Sequence, residues 1–282
     1  MFNKATKQQS KLRLLLEGTA GSGKTYSALI AATAMGKKIA VIDTEKGSAS
    51  LYSDRFDFDV CEILPPYTPE SYIEAIKGAE QAGYDVLVID SITHEWSGEG
   101  GCLDIQSKLG GKYQDWAKVT PRHDKFKEAI LQSTCHVVAT ARTKTDYAMV
   151  ESKGKMKVEK LGTKTEQREG LDFEFTTVLR INQNHMFESS KDRTGLFDGK
   201  EAVFTEAHGK MLIDWLDDGV DPMIEGVKKI NGCSTLDELK SAWLSFPKHM
   251  HLKLTAAKDK RKSELEFEED NIEMPLKEAA NA

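Results

Sequence analysis

The segment that decides the fold of this chain is Gly18-Thr19-Ala20-Gly21-Ser22-Gly23-Lys24-Thr25. It matches the spacing G-x-x-x-x-G-K-[ST] at every fixed position, with a leucine-rich run before it and an alanine-rich helical pattern after it. Glycines let backbone N–H groups turn inward around phosphate oxygens, and the N-terminus of the following helix adds the positive end of its dipole. The segment therefore predicts a phosphate-binding loop between a strand and a helix.

The side chains of this phosphate loop (residues 18–25) each have an expected role. Lys24 reaches the β- and γ-phosphates of a bound nucleotide, and the Thr25 hydroxyl ligates Mg²⁺. A nucleotide with Mg²⁺ is therefore the expected cofactor pair. The residues expected to bind the nucleotide are Gly18, Thr19, Ala20, Gly21, Ser22, Gly23, Lys24, Thr25 and Tyr26.

Strand and helix patterns alternate from residue 12 to residue 142. Short apolar runs predict strands at 12–17, 38–43, 60–64, 84–90 and 136–141, with later strands at 173–181 and 185–188. Helical spacing and capping residues predict helices at 24–35, 69–81 and 122–133. Such alternation is typical of βαβ units in a doubly wound, mainly parallel sheet with helices on its faces.

Two carboxylates stand at the carboxyl ends of predicted strands, where ligands bind in open α/β sheets. Asp90 ends an apolar strand and can hold Mg²⁺, usually through water. Glu45 follows the second strand and can orient and deprotonate an attacking water. The alternatives for these two residues are an aspartate that caps the next turn and a glutamate solvated in a loop.

Taken together, these motifs resemble the RecA-like core of recombinases over about residues 11–215. Ile42-Asp43-Thr44-Glu45 is similar to the segment that carries the catalytic glutamate of that family. The strand that lies on the metal side of the nucleotide site in that family is matched in this chain by Tyr84-Asp85-Val86-Leu87-Val88-Ile89-Asp90-Ser91. Within the family, the short chain most resembles the phage ATPases of single-strand annealing and recombination. The resemblance implies an α/β, RecA-like P-loop NTPase core that hydrolyses ATP, assembles as a filament or ring, and works in the host cytoplasm if phage-encoded.

The resemblance also implies roles for residues farther along the chain. Lys191 and Arg193 match a basic pair that reaches the ATP of the neighbouring subunit. Thr140 stands near the position where a bacterial RecA has a glutamine that senses the γ-phosphate, and Arg142 is a candidate to share that task because Thr140 is shorter. Phe2-x-x-Ala5 resembles the short motif by which archaeal and eukaryotic recombinases attach to the next subunit.

The segment 142–168 is expected to contact DNA. It carries eight basic side chains against four acidic ones, and basic side chains on a loop can follow the phosphates of a single strand. A second long segment, 92–121, offers Trp96, Tyr113 and Trp116, which would stack on bases if exposed and would hold the loop in place if buried. The residues expected to bind single-stranded DNA are Arg142, Lys144, Lys153, Lys155, Lys157 and Lys160.

The net charge of −6 describes the end of the chain rather than the surface expected to meet DNA. From residue 264 onward there are seven acids and one base, so residues 1–263 are neutral. A single-strand DNA-binding protein is a candidate partner for this acidic stretch. The expected organisation is an oligomerisation segment at 1–10, an ATPase core at 11–217, a small helical domain at 218–263 and an acidic disordered tail at 264–282.

Other P-loop proteins are alternatives to a recombination ATPase. Hexameric helicases and helicase loaders are built on the same core. Thr143-Lys144-Thr145-Asp146 fits the guanine-reading pattern [NT]-K-x-D of a GTPase, but Asp90-Ser91-Ile92-Thr93 lacks the glycine of D-x-x-G. A small-molecule kinase is a further alternative, for which the sequence shows no acceptor pocket.

Cysteine spacing and hydropathy argue against several other classes of protein. Cys61, Cys102, Cys135 and Cys233 lie far apart, without a C-x-x-C or a histidine pair at ligand spacing, so a zinc site or disulfide framework is not expected. Reduced thiols in a cytosolic protein are the expectation. No apolar stretch approaches the roughly 18 residues of a membrane span, and residues 1–9 lack the apolar segment of a signal peptide. We therefore expect a cytoplasmic protein without a membrane partner.

Overall fold

The protein is described here by a computed structural model that covers residues 7, 9–152 and 155–279, with the backbone alone at 147–152, 155–161, 248–249 and 268–279. The chain divides into two compact units, one formed by residues 11–215 and the other by 216–282 together with 1–10. The first unit carries the phosphate loop. Phe2 and Ala5, predicted to mediate oligomerisation, lie outside the described residues.

Within the described residues, the first unit contains a sheet of nine strands. The strands are β1 (Arg13–Gly18), β2 (Ile39–Asp43), β3 (Asp59–Glu62), β4 (Val86–Asp90), β5 (His136–Ser152), β6 (Lys155–Thr165), β7 (Thr177–Ile181), β8 (Met186–Asp192) and β9 (Glu201–Val203). Their order is β3-β2-β4-β5-β1-β7-β8-β9, and β6 pairs with β5. The pairs from β3 across to β7 are parallel, whereas β8, β9 and β6 add antiparallel pairs. The predicted α/β class with a mainly parallel sheet is confirmed.

Helices cover this sheet, and the second of them begins where its capping residues predict. The Thr68 hydroxyl accepts a hydrogen bond from the Ser71 N–H at 3.2 Å, and Pro69 occupies the first turn of the second helix. Tyr72 and Phe126 meet edge to face, with ring centroids 5.3 Å apart, in the core between two helices and one face of the sheet. The helices are α1 (Lys24–Met35), α2 (Pro69–Gln81), α3 (Thr93–Ser97), α4 (Cys102–Lys108), α5 (Trp116–Gln132) and α6 (Glu206–Asp217).

The polar segment 143–171, which includes most of the residues expected to contact DNA, is largely a β-hairpin. β5 continues past the parallel sheet, and β6 returns beside it from the Ser152–Lys155 pair to the Thr143–Thr165 pair. The expected strand at 173–181 is shorter because a 3₁₀ turn occupies Asp172–Glu174. The helix predicted at 122–133 begins earlier, at Trp116.

The second unit is helical and has its own small core. Its helices are α7 (Pro222–Asn231), α8 (Leu236–Ser245) and α9 (Lys248–Ala279). Asp221 caps α7 by accepting from the Met223 N–H at 2.7 Å, and Thr235 caps α8 in the same way. Ile230 and Leu254 belong to the apolar cluster that holds the three helices together.

The acidic stretch from residue 264, for which a disordered tail is the prediction, has a helical backbone in the described residues. Helix α9 runs through it to Ala279. Glu, Lys and Leu are strong helix formers, and opposite charges four residues apart stabilise a helix. Lys262 and Glu266 form such a pair at 3.4 Å. In the part of the chain that the structure describes, no helix is both long and apolar enough to cross a membrane.

The half-buried position of His136, the first residue of β5, should make the stability of the folded chain depend on pH. Its Nδ1 accepts a hydrogen bond from the Leu12 N–H at 3.1 Å, and burial, with Lys11 and Arg13 nearby, lowers its pKa from 6.5 to about 4. The unfolded chain therefore takes up a proton below its pKa of 6.5 while the folded chain stays neutral. Because of this difference in pKa, the free energy of unfolding of the chain should fall by about 2 kcal/mol as the pH is lowered from about 7.5 to about 5.

Urea denaturation of the full chain at both pH values measures this loss. His136→Gln keeps an acceptor for the Leu12 N–H but does not titrate, so its stability should fall less steeply toward acid than that of the wild type. Parallel falls in the two proteins would contradict the assignment to His136.

Candidate nucleotide-binding site

The loop between β1 and α1 has the backbone that phosphate binding requires. Gly21 and Gly23 adopt φ angles of +76° and +90°, a region that strains any residue with a Cβ. A Cβ at Gly18 would lie 2.4 Å from the carbonyl oxygen of Ile181 and 2.6 Å from the Ser22 hydroxyl. The glycines of the motif are therefore needed for chain direction and for close packing against β7.

Lys24 folds back over this loop. It is the first residue of α1, and its ammonium donates to the Thr19 carbonyl at 2.8 Å. Burial lowers the pKa of Lys24, and the carboxylates of Asp90 and Glu45 oppose that shift. The amine is thus held above the loop, where the phosphates of a nucleotide would lie.

Asp90 and Thr25, the predicted Mg²⁺ ligands, are brought into direct contact. The Thr25 hydroxyl donates to one carboxylate oxygen of Asp90 at 2.6 Å, and the Thr140 hydroxyl donates to the other at 2.5 Å. Burial raises the pKa of Asp90, and these two hydrogen bonds counteract it. A hydroxyl and a carboxylate are oxygen donors of the kind that Mg²⁺ prefers, so the residues present fit the ion. The structure gives Thr140 a contact with Asp90, and its role toward the γ-phosphate stays a prediction.

Glu45 lies at the same sheet edge and is paired with Arg142. The guanidinium donates from Nε to Oε1 of Glu45 at 3.0 Å and from Nη2 to Oε2, and the Ser91 hydroxyl donates to Oε1 at 3.2 Å. Burial alone would raise the pKa of Glu45, but the hydrogen bonds and charge of Arg142 outweigh burial and lower it. A residue predicted to bind DNA is therefore in contact with the predicted catalytic base.

The turn after β2 is built by residues to which the sequence assigned no role. The Asp43 carboxylate accepts from the Glu45 N–H at 2.6 Å and from the Ala49 N–H at 3.1 Å, which orients the loop that carries Glu45. The Thr44 hydroxyl accepts from the Ser91 N–H at 2.9 Å and lies 2.8 Å from Nδ1 of His94. These contacts hold the ends of β2 and β4 together.

The turn between β7 and β8 contacts the phosphate loop through two of its side chains. The Gln183 side-chain amide donates to the Thr19 hydroxyl at 2.5 Å and to the Ala20 carbonyl at 3.1 Å. Nδ1 of His185 lies 3.0 Å from the Ser22 carbonyl. No spacing in the sequence relates Gln183 or His185 to the phosphate loop. Their position just after a parallel strand is the one signal in the sequence that points to the site.

A cavity of about 550 Å³ adjoins the loop and is large enough for part of a nucleotide. Tyr26, predicted to bind the cofactor, lines it and packs against the rings of Tyr52 and Phe56, with centroids 5.5 and 5.4 Å away. Aromatic side chains in this position could stack on a base. The other lining residues include Gly21, Gly23, Lys24, Thr25, Arg55, His185 and Phe204.

Lys191 and Arg193 lie at the sheet edge opposite their own phosphate loop. Gly18 pairs with Ile181 at the carboxyl end of β7, whereas β8 runs back and pairs Lys191 with Val178 near the other end. The Lys191 ammonium donates to the Phe175 carbonyl at 2.7 Å, and Arg193 donates to the carbonyl of Phe173. These cations are therefore not placed to act on their own loop, and their action on a neighbouring subunit stays a prediction.

The aromatic residues of segment 92–121 divide into two groups. The rings of Trp96 and Trp116 stack, with centroids 5.5 Å apart and planes 17° apart, and both are half-buried. They hold the segment in place. Tyr113 is 87% exposed and remains available to a ligand.

The residues predicted to bind DNA follow the hairpin outward from the nucleotide site. Arg142 and Lys144 belong to β5. On the backbone of β6, Lys155 pairs with Ser152, Lys157 with Val150, and Lys160 with Tyr147. Lys153 lies outside the described residues.

Comparison with known proteins agrees with this arrangement. A search of the curated proteins found no match. A family model described as an AAA domain matches residues 10–207, which include the phosphate loop, Glu45, Asp90 and the hairpin. Because the match covers most of the chain, the protein belongs to this AAA-domain family of P-loop ATPases.

Proposed function

We propose that this P-loop ATPase hydrolyses ATP while assembled on single-stranded DNA and assists annealing or homologous recombination. One observation carries the proposal. Strand β5 touches Asp90 through Thr140, touches Glu45 through Arg142, and then continues as the basic hairpin. A single strand therefore connects the nucleotide site to the surface expected to meet DNA.

In the proposed reaction, water attacks the γ-phosphate of ATP in line with the departing ADP. Lys24 neutralises charge on the phosphates, and Thr25 and Asp90 would hold Mg²⁺, which adds positive charge when bound. Glu45 accepts a proton from the attacking water. Lys191 and Arg193 of a neighbouring copy complete the site, which makes a filament or ring the working form.

The Arg142–Glu45 pair suggests how DNA would stimulate hydrolysis. A carboxylate bound by a guanidinium through two hydrogen bonds is a weak base, because the pair stabilises its charged form. DNA phosphates near the start of the hairpin would compete for Arg142 and free Glu45. Hydrolysis would then be slow without DNA and faster on it.

The base of the hairpin carries basic and acidic side chains in equal number, so contact with a nucleic acid is proposed for the lysines of β6 farther along the hairpin. A cavity of about 650 Å³ lies there, lined by Lys144, Lys164 and Arg168 with Trp96 and by acidic side chains as well. The GTPase alternative is disfavoured, since Thr143 and Thr145 of its recognition pattern are paired with β6 in the hairpin.

The test measures ATP hydrolysis with and without single-stranded DNA, with electron microscopy of the same mixtures. We expect DNA to raise the rate and to assemble the protein. Lys155→Glu with Lys157→Glu should remove most of the stimulation, because charge reversal repels phosphates. Lys118→Glu with Lys125→Glu, the same charge change at exposed positions of α5, is the matched control and should keep it.

Several results would contradict the proposal. An ATPase rate indifferent to DNA would remove its basis, and a preference for GTP would favour the GTPase alternative. Unwinding of a forked duplex would favour a helicase. Phosphate transfer to a metabolite would favour a kinase.

A further inference from the structure

Three buried side chains with metal-binding atoms meet inside the α/β unit. Glu95 comes from α3, Cys102 from α4 and His123 from α5. Sγ of Cys102 and Nδ1 of His123 each lie 3.1 Å from Oε1 of Glu95, and one such atom from each residue lies within 4.8 Å of the others. The side chains of Glu95 and His123 are 0% and 3% exposed, and Cys102 is fully buried.

The charge of this cluster needs compensation. A carboxylate out of contact with water is costly unless a cation balances it. Glu95 contacts a thiol, an imidazole and the side-chain amide of Gln167, which lies 3.4 Å from Oε2. Arg122 acts on Glu95 through its charge, but its hydrogen bonds go to Glu70. One divalent cation bound by a carboxylate, a thiolate and a neutral imidazole would make the cluster electrically neutral.

We propose that Glu95, Cys102 and His123 bind Zn²⁺. One sulfur, one nitrogen and one oxygen donor form the kind of mixed set that Zn²⁺ accepts, with bonds of roughly 2.0–2.3 Å. Donor atoms about 3 Å apart need only a small outward shift to surround an ion at those distances. Gln167 or a water molecule would supply the fourth ligand.

Binding at this site displaces one proton from the cluster. The Cys102 thiol becomes a thiolate and releases its proton to solvent. Nδ1 of His123 faces both carboxylate oxygens of Glu95, to which it donates while no metal is bound. On metal binding the neutral imidazole would carry its proton on Nε2 instead, which leaves the lone pair of Nδ1 for the metal. No oxidation or reduction takes place.

The ion would tie the two short helices α3 and α4 to the longer helix α5. Helices α3 and α4 have five and seven residues and are separated by a glycine-rich turn. Gly101 is packed so closely that a Cβ there would lie 2.6 Å from the His94 carbonyl. Because α3 follows the strand that ends in Asp90, the metal would also fix the backbone leading out of the nucleotide site. This role does not depend on the proposed contact with DNA.

The first experiment uses the full chain and the metal alone. Metal analysis of the purified protein should find about one zinc per chain, which a chelator removes. Titration with Co²⁺ should then give a sulfur-to-cobalt charge-transfer band that saturates at one equivalent. Cys102→Ser should lose the band. Cys135→Ser should keep it, since Cys135 is a buried thiol that donates to the Tyr84 carbonyl instead.

Two results would overturn the proposal. One is a wild-type chain that binds nucleotide, and is therefore folded, but shows no charge-transfer band with Co²⁺. The other is a Cys102→Ser chain whose band equals that of the wild type. Either result would leave the cluster as a hydrogen-bonded network of the core.

If Cys102→Ser fails to fold, a second measurement on the wild-type chain tests whether Cys102 binds Zn²⁺. In mild denaturant, Zn²⁺ should slow alkylation of Cys102 in the wild-type chain and leave alkylation of Cys135 unchanged, as read by mass spectrometry of the peptides. Equal alkylation of Cys102 with and without Zn²⁺ would overturn the proposal.

Discussion

Replacing Lys24 by alanine should abolish ATP hydrolysis and weaken nucleotide binding. The Lys24 ammonium is held above the phosphate loop by the Thr19 carbonyl and faces the space where the phosphates would lie. Its removal leaves negative charge uncompensated in the ground state and still more in the transition state. Loss of one such group costs about 10²–10³-fold in rate. Phosphate release and binding of a fluorescent ATP analogue measure the two effects.

Lys37→Ala is the matched control for that prediction. Lys37 is exposed just past the other end of the same helix, so the substitution is identical but the phosphates are out of reach. The control should hydrolyse ATP like the wild type. Unchanged turnover in Lys24→Ala itself would show that the nucleotide does not bind at this loop.

Glu45→Gln should separate nucleotide binding from hydrolysis. The amide keeps the size of the side chain and can still accept a hydrogen bond from Arg142 or Ser91, but it cannot take a proton from water. A general base contributes about 10²–10⁴-fold to a rate, so hydrolysis should fall by that order while ATP affinity stays close to that of the wild type. Single-turnover hydrolysis and equilibrium binding distinguish the two quantities.

Glu62→Gln provides the comparison for this second prediction. Glu62 ends β3 beside the end of β2, so it tests the same loss of charge at the same sheet edge. Its hydrolysis rate should be unchanged. Normal turnover by Glu45→Gln would refute the assignment of Glu45 as the base, and the Arg142–Glu45 pair would then have a structural role.

Much of the nucleotide site could be predicted because it depends on local rules. The spacing of residues 18–25 dictates a loop that opens a helix, and φ angles of +76° and +90° at Gly21 and Gly23 agree with it. Parallel strands bring their carboxyl ends to one edge, which places Asp90 near Thr25 without any knowledge of the other contacts. The capping residues Thr68 and Pro69 determined the start of α2 in the same local way.

The hairpin shows where such rules stop. Segment 143–171 is polar and rich in lysine, so its hydropathy pattern resembles that of a solvated loop. Its two strands pair with each other along their backbones, from Thr143 with Thr165 to Ser152 with Lys155. The acidic segment after residue 264 is ambiguous for a related reason, because its charge indicates disorder whereas its glutamates favour a helix.

The sequence by itself determined the phosphate loop, the order of strands and helices that follows it, and the class of cofactor, because each depends on neighbours in the chain or on strand direction. Only the tertiary structure decided that Arg142 binds Glu45 across 97 positions and that Gln183 reaches Thr19 across 164. It likewise assembled Glu95, Cys102 and His123 from three helices. Such contacts depend on strand order and helix packing. Both bring side chains together that are far apart in the chain, and no local spacing in the sequence encodes which ones.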